Sequence, residues 1–309
     1  MHALPHGRLT WQKRRPPDAV VFTCLAAAAL FLALLGFTLI LWVREAWPAI
    51  RAHGGEMLTS GEWFYRHQHF GALAMIYGSA VVSLLALLLA APVAFATAIF
   101  ISEWLPHTLR PWAKAAVEFL AAIPSVIYGL LGIMFLRTWM ADWLAPFDPL
   151  SGDMLLTAAV LLAVMILPTV TTFAEDSLRA VPAAQRLAAR GLALNRTQTI
   201  HRIVLPQAWP GMIGAALLGL GRGLGETIAV FLIIGRLDNR LPESLLDPAP
   251  LIEPGQTLTS KLGGPETHIA MGDPLHWGAI LTLGLILLVL TTLFVSLGNL
   301  LLRKNPAHP

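Results

Sequence analysis

Residues 72–101 read Ala-Leu-Ala-Met-Ile-Tyr-Gly-Ser-Ala-Val-Val-Ser-Leu-Leu-Ala-Leu-Leu-Leu-Ala-Ala-Pro-Val-Ala-Phe-Ala-Thr-Ala-Ile-Phe-Ile, without a single acidic or basic side chain. A bilayer core about 30 Å thick is crossed by about 20 helical residues rising about 1.5 Å each. This stretch exceeds that length, which predicts a tilted helix or a break near Pro92. Working outward, five more apolar runs cover 19–43, 113–137, 154–173, 211–234 and 278–302. The pattern predicts an all-α membrane protein with six transmembrane helices. Pro124 and Pro168 interrupt two of the runs, where a freed carbonyl needs a neighbouring helix or a wet cavity.

Composition agrees. The 309 residues are 56% hydrophobic and 13% charged, with a mean hydropathy of +0.67, whereas soluble domains carry about 25% charged residues. The single cysteine, Cys24, lies in the first run, which excludes an intrachain disulfide and a cysteine metal cluster. No basic groove with interleaved aromatics points to nucleic acid.

Basic residues set the orientation. Arg8, Lys13, Arg14 and Arg15 precede the first run, Arg110 and Lys114 separate the second and third, five arginines lie between the fourth and fifth, and Arg303 and Lys304 follow the sixth. The positive-inside rule places this richer side, and both termini, in the cytoplasm. The expected organisation is a cytoplasmic tail 1–18, a membrane domain 19–302 and a cytoplasmic tail 303–309. Loops 44–71 and 235–277 face outward, the second expected to be irregular from its Pro and Gly content. The first run is too long for the core of a signal peptide and is read as a retained helix.

Enzymatic signatures are missing. There is no phosphate-binding G-x-x-x-x-G-K-[ST], no H-E-x-x-H and no G-x-S-x-G. His67 and His69 read as a solvated loop pair, so neither a metal nor a cofactor is expected. Chemistry concentrates in the fifth run, where Gly219-Leu-Gly-Arg-Gly-Leu-Gly-Glu-Thr227 puts Arg222 and Glu226 at membrane depth. A charge there costs about 2.5–3.5 kcal/mol on the insertion scale, so both should face the bundle interior, a partner or water. Four residues apart on a continuous helix, they would share a face as a structural ion pair or as a polar patch on an anion path. Gly219/Gly223 and Gly221/Gly225 favour close helix approach. Glu118, near Ser125 and Tyr128, is a third charge at or near this depth.

Residues 174–210 mix Arg179, Arg186, Arg190, Arg196 and Arg202 with alanines at 183, 184, 188, 189 and 193. They read as two short amphipathic helices suited to docking on another protein.

Here the sequence resembles the permease subunits of binding-protein-dependent ABC importers. Ala188-Ala189 followed by Ile203-Val-Leu205-Pro206 is similar to the family's signature E-A-A-x(3)-G-x(9)-I-x-L-P. Leu187 replaces its Glu and Ala193 its Gly. Phe70-Gly-Ala, Ile76-Tyr-Gly-Ser, Leu120-Ala-Ala-Ile-Pro-Ser-Val-Ile-Tyr-Gly129, Met165-Ile-Leu-Pro-Thr169 and Gly221-Arg-Gly-Leu-Gly-Glu-Thr227 resemble, in order, segments of the phosphate-specific PstC type. The resemblance implies the type I importer permease fold in a bacterial inner membrane and phosphate import. Its implied partners are a second permease of the PstA type, a dimer of ATPase subunits that carry out the hydrolysis, and a periplasmic phosphate-binding protein. Residues 174–207, with Leu187, Ala188, Ala189, Ala193, Ile203, Leu205 and Pro206, would couple to the ATPase. Arg222 and Glu226 would serve phosphate passage, and Thr227, Glu118 and Ser125 complete the expected path. Import of another oxyanion (sulfate, molybdate or phosphonate) and a non-transporting sensor or scaffold are the competing readings.

Overall fold

A computed structural model describes residues 18–242 and 249–304. The expected tail 1–18, apart from Asp18, and all of the tail 303–309 beyond Lys304 fall outside these residues. The chain divides into a unit ending at Glu45 and a second unit beginning at Ala46. The first unit is the body of helix α1 (Asp18–His53), whose apolar side chains such as Phe22, Phe31 and Ile40 are exposed. An aliphatic surface of this kind suits lipid.

In the second unit a short α2 (Glu56–Thr59) leads to a two-stranded antiparallel ribbon, β1 (Trp63–Phe64) and β2 (His69–Phe70), with Trp63 opposite Phe70. Then comes α3 (Leu73–Ile99), which passes through Pro92 as one helix and ends in a wide turn, Phe100–Trp104. The break anticipated at Pro92 does not occur, and the excess length is carried by one long helix. α4 (Arg110–Ala122) and α5 (Ser125–Leu131) meet at Ile123-Pro124, where the axis bends by 82°. This is the expected interruption at Pro124, and it is sharp because Pro124 removes a donor and drives Ile123 into extended backbone. α6 (Arg137–Trp143) continues the second arm. Among the described residues five helices are long and apolar enough to cross a membrane, and the bent pair, taken as one span, brings the count to six.

α7 (Leu155–Arg179) is the central pillar, buried along most of its length. α3 lies against it through Ala86, Ala90, Ala94 and Ala98, a stripe at i, i+4 that lets the two backbones come close. Pro168 leaves α7 unbroken, and the Thr171 and Thr172 hydroxyls donate to the carbonyls of Leu167 and Pro168. After α8 (Ala183–Gly191) and α9 (Arg196–Thr199), α10 (Leu205–Leu224) packs on the other side of α7. A side chain at Gly219 would collide with Val170, so the glycine sets this α7–α10 spacing. The small-residue pattern thus meets a helix of the same chain.

The fifth run is not one helix. α10 stops at Leu224, residues 225–227 are irregular, and α11 (Ile228–Ile233) resumes. Three glycines in five positions weaken the helix where it meets Glu226. The described residues of the outward loops form short elements too. α12 (Leu258–Leu262) and α13 (Glu266–Ala270) precede the last helix, α14 (Pro274–Lys304). Trp63 donates through Nε1 to Glu266 at 2.6 Å and through its backbone to Asn239 at 2.6 Å. These bonds stitch the two outward loops together at Trp63.

Candidate functional site

Arg222 ends the last turn of α10, exposed on the surface of the bundle. Its Nη1 donates to Thr169 Oγ1 of α7 at 2.7 Å, and its Nη2 reaches the Ala121 carbonyl of α4 at 3.5 Å. Three elements therefore aim one guanidinium. Ala121 is available because α4 ends there: the 82° bend frees its last carbonyls. Thr169 follows Pro168 and is one of four threonines in an otherwise apolar run, with Thr157, Thr171 and Thr172, so the sequence did not single it out.

Among the described residues Arg222 and Glu226 form no ion pair. The chain leaves the helix between them, so the i, i+4 relationship on which a pair depends is lost. Glu226 turns to α11, where its Oε1 accepts the Ala229 N–H at 3.3 Å. Thr227 donates to the Gly225 carbonyl at 3.3 Å inside the same break. Ser125 opens α5, half-buried, beyond the bend. Tyr128, one turn on, donates to the Leu120 carbonyl at 2.8 Å and bridges the two arms. Gly129 lets α5 meet α11, since a side chain there would lie 3.1 Å from the Ala229 Cα. Arg222, Glu226, Thr227 and Ser125 thus lie on or next to two helix breaks that face one another through α5 and α11.

Glu118 belongs elsewhere. It is exposed on α4, one turn before Ala121, and lines a 290 Å3 cavity with Lys114, Glu175 and Arg179. In that cavity Lys114 holds Glu175 at 3.1 Å and Asp176 at 2.5 Å. Lys114, Glu175 and Asp176 tie α4 to α7, a pairing across about 60 residues that hydropathy could not reveal.

The second candidate site is the 174–207 segment, and it forms the expected short helices. α8 ends in a left-handed residue: Ala193 has φ 58°. The Leu194 N–H bonds the Ala189 carbonyl at 3.1 Å and the Ala193 N–H bonds that of Arg190 at 2.9 Å. This is a Schellman closure, whose left-handed position favours glycine. The Gly of the resembled signature therefore has a backbone reason, and Ala193 fills the position at a steric cost. α9 opens with a reciprocal cap between Asn195 and Gln198. Ile203 lies in a wide turn that runs into Leu205 and Pro206, the first turn of α10. Ala189 is buried, whereas Ala188 is exposed and Leu187 is 62% exposed.

The segment is fastened by Glu103, which the sequence reading passed over. Arg186 Nη1 meets Glu103 Oε1 at 2.6 Å, and its Nη2 donates to the Leu178 carbonyl at 2.8 Å. Arg196 donates to the Glu103 carbonyl and lies over the Trp104 ring, 5.0 Å from its centroid. The wide turn after α3 thus holds α8 by its side chain and α9 by its backbone.

Comparison with known proteins covers nearly the whole chain. The family described as binding-protein-dependent transport system inner membrane component matches residues 90–305. A phosphate transport system permease protein, PstC, of Mesorhizobium japonicum is 36% identical over 302 residues, 93% of this chain and 90% of the relative. Its namesake in Pasteurella multocida is 33% identical over 300 residues, 92% of this chain and 88% of the relative. Among solved structures, a chain of a bacterial alginate ABC transporter, crystallised with its alginate pentasaccharide-bound periplasmic protein, superposes with a TM-score of 0.63. The identity is 15%, over 93% of this chain and 95% of that one, so the likeness is one of fold.

Proposed function

Because the chain belongs to the binding-protein-dependent transport system inner membrane components, and among them to the PstC type, we propose that it forms half of the membrane path of an ATP-driven phosphate importer. The chain is a multi-pass membrane component of an ABC transporter rather than an enzyme. Its partners in this reading are a PstA-type permease, two ATPase subunits and a periplasmic phosphate-binding protein. The face bearing α8 and α9 is cytoplasmic and the Trp63–Glu266 cap is periplasmic, as the distribution of Arg and Lys favours.

The observation that carries the reading is the Arg222 guanidinium, exposed at membrane depth and aimed by Thr169 and Ala121. A cation at that depth needs water or a partner, and a guanidinium offers a phosphate oxygen a planar pair of donors while offsetting the cost of an anion in low dielectric. Glu226, half-buried in the facing break, keeps Oε2 for a protonated phosphate oxygen and repels an anion with no proton to give. The path binds weakly, since an ion that is held tightly does not leave. Delivery from the periplasmic cap and ATP-driven movement of the 174–207 segment would open the path alternately to each side.

The test is labelled phosphate uptake at limiting phosphate in cells stripped of other phosphate importers. Wild type should restore uptake with excess sulfate failing to compete, and Arg222→Gln at equal membrane level should not. Uptake that is indifferent to the presence of the chain would refute the proposal.

A further inference from the structure

A cavity of 790 Å3 lies on the coupling side of the molecule, between the wide turn after α3, the start of α4, the end of α7 and the inner faces of α8 and α9. Five arginines line it, Arg110, Arg179, Arg186, Arg190 and Arg196, against the single carboxylate of Glu103. Glu103 is already engaged by Arg186 and Arg196. Arg179 leans on Glu175 at 3.5 Å. Arg110 gives its Nε to the Leu105 carbonyl at 3.0 Å, and among the described residues its two terminal amino groups have no partner. Arg190 has no hydrogen-bond or ion-pair partner among the described residues. Two guanidinium groups from different elements thus remain free in one concave, cation-rich space, where uncompensated charge concentrates anions.

We propose that this cavity is a second anion site, separate from Arg222, that takes a phosphate-type oxyanion between Arg110 of α4 and Arg190 of α8. The forked donors of arginine match phosphate oxygens in pairs, as they do those of other oxyanions, which sets this chemistry apart from that of a halide. Two sources supply it. Trp104 and Trp112 are exposed and adjoin Glu103 and Arg110 of the lining by one and two residues in sequence; tryptophan favours the headgroup level, which would bring an anionic phospholipid to the cavity. Inorganic phosphate on the same side of the membrane has the same oxygens. Either occupant would bind α8 to α4 across the cavity and so restrain the segment that moves with the ATPase. The inference does not depend on what passes Arg222.

The complete importer, purified from membranes, tests it in two arms. Phospholipid retained after exchange into zwitterionic lipid is quantified by mass spectrometry for wild type, Arg190→Gln and Arg110→Gln/Arg190→Gln. Equilibrium binding of labelled inorganic phosphate is measured for the same substitutions in an Arg222→Gln background, which takes the translocation path out of the measurement. In one arm the double variant should bind about tenfold less than its parent, with Arg190→Lys intermediate because it keeps the charge and loses the fork. A loss confined to the lipid arm identifies a headgroup, and a loss in the phosphate arm identifies free phosphate. Arg190 is exposed and unpaired, so its single variant carries the test if the double variant fails to assemble. Equal binding by all variants in both arms overturns the site.

Discussion

Arg222 gives its Nη1 proton to Thr169 at 2.7 Å and none to Glu226, four residues along the chain. The helix break at 225–227 frees the guanidinium from the carboxylate nearest in sequence and leaves it held by a neutral hydroxyl and a carbonyl. A neutral anchor positions a cation without cancelling its charge.

Thr169→Val should therefore lower phosphate uptake while the assembly stays intact. The lost hydrogen bond to a charged group is worth about 1.5–3 kcal/mol, discounted toward the low end for an exposed arginine, so a drop of several-fold is expected. Thr169→Ser should retain most of the activity. Labelled uptake at matched membrane level measures both, and parity of the valine variant with wild type would remove Thr169 from the site.

Ala193 leads to a second expectation. A left-handed backbone is costly for any residue with a Cβ and worst for a β-branched one. Ala193→Gly should raise the thermal midpoint of the purified complex or leave it unchanged, because relief of about 1 kcal/mol of strain is partly offset by the freedom glycine gains when unfolded. Ala193→Val should lower it. A valine variant as stable as wild type would mean that the Schellman closure is not held in solution.

How far the sequence discloses this molecule depends on how local each signal is. The six apolar runs and the bend at Pro124 are local properties of composition and backbone, and they emerged directly. The short helices α8 and α9 of the 174–207 segment were legible for the same reason. The break at 225–227 was missed because Gly221, Gly223 and Gly225 were read as a close-packing pattern on a continuous helix, although the same glycines weaken that helix. Glu103 was overlooked because its partner, Arg186, lies 83 residues away, a pairing that only the fold creates. The loop 235–277 looked irregular since Pro and Gly report turns but not the buried Lys261, which ties Asp238 to Glu266 among its described residues.

Glu103 should matter for coupling more than for folding. Glu103→Gln keeps the backbone carbonyl that takes Arg196 and removes the charge that takes Arg186. The exchange weakens a largely buried pair by about 1.5–3 kcal/mol, freeing α8 from the end of α3. Phosphate moved per ATP hydrolysed by the reconstituted importer should fall several-fold while the complex still assembles. An unchanged ratio would mean that α8 does not transmit through this contact.

The cap carries a pH dependence with two opposed parts. Lys261, 3% exposed, lies 2.6 Å from both Asp238 and Glu266. Burial alone would raise the Glu266 carboxyl, but the hydrogen bond and charge of Lys261, with hydrogen bonds from Trp63 and His276, outweigh it and hold the group below its ordinary 4.5. Burial prevails at Asp238 and pushes it above its ordinary 3.8, against the pull of Lys261. A lowered carboxylate stabilises the fold above its unfolded value and loses that contribution as the pH falls through its folded value. A raised one does the reverse, opposing the fold once the pH climbs past its unfolded value. Glu266→Gln should therefore melt below wild type at neutral pH, with the gap closing as the pH falls below 4.5. Asp238→Asn should melt at or above wild type at neutral pH, because Lys261 keeps Glu266 as its counter-ion. Thermal unfolding of the purified complex from neutral to acid pH measures both. A Glu266→Gln gap that widened toward acid would assign the binding of Lys261 to the wrong carboxylate.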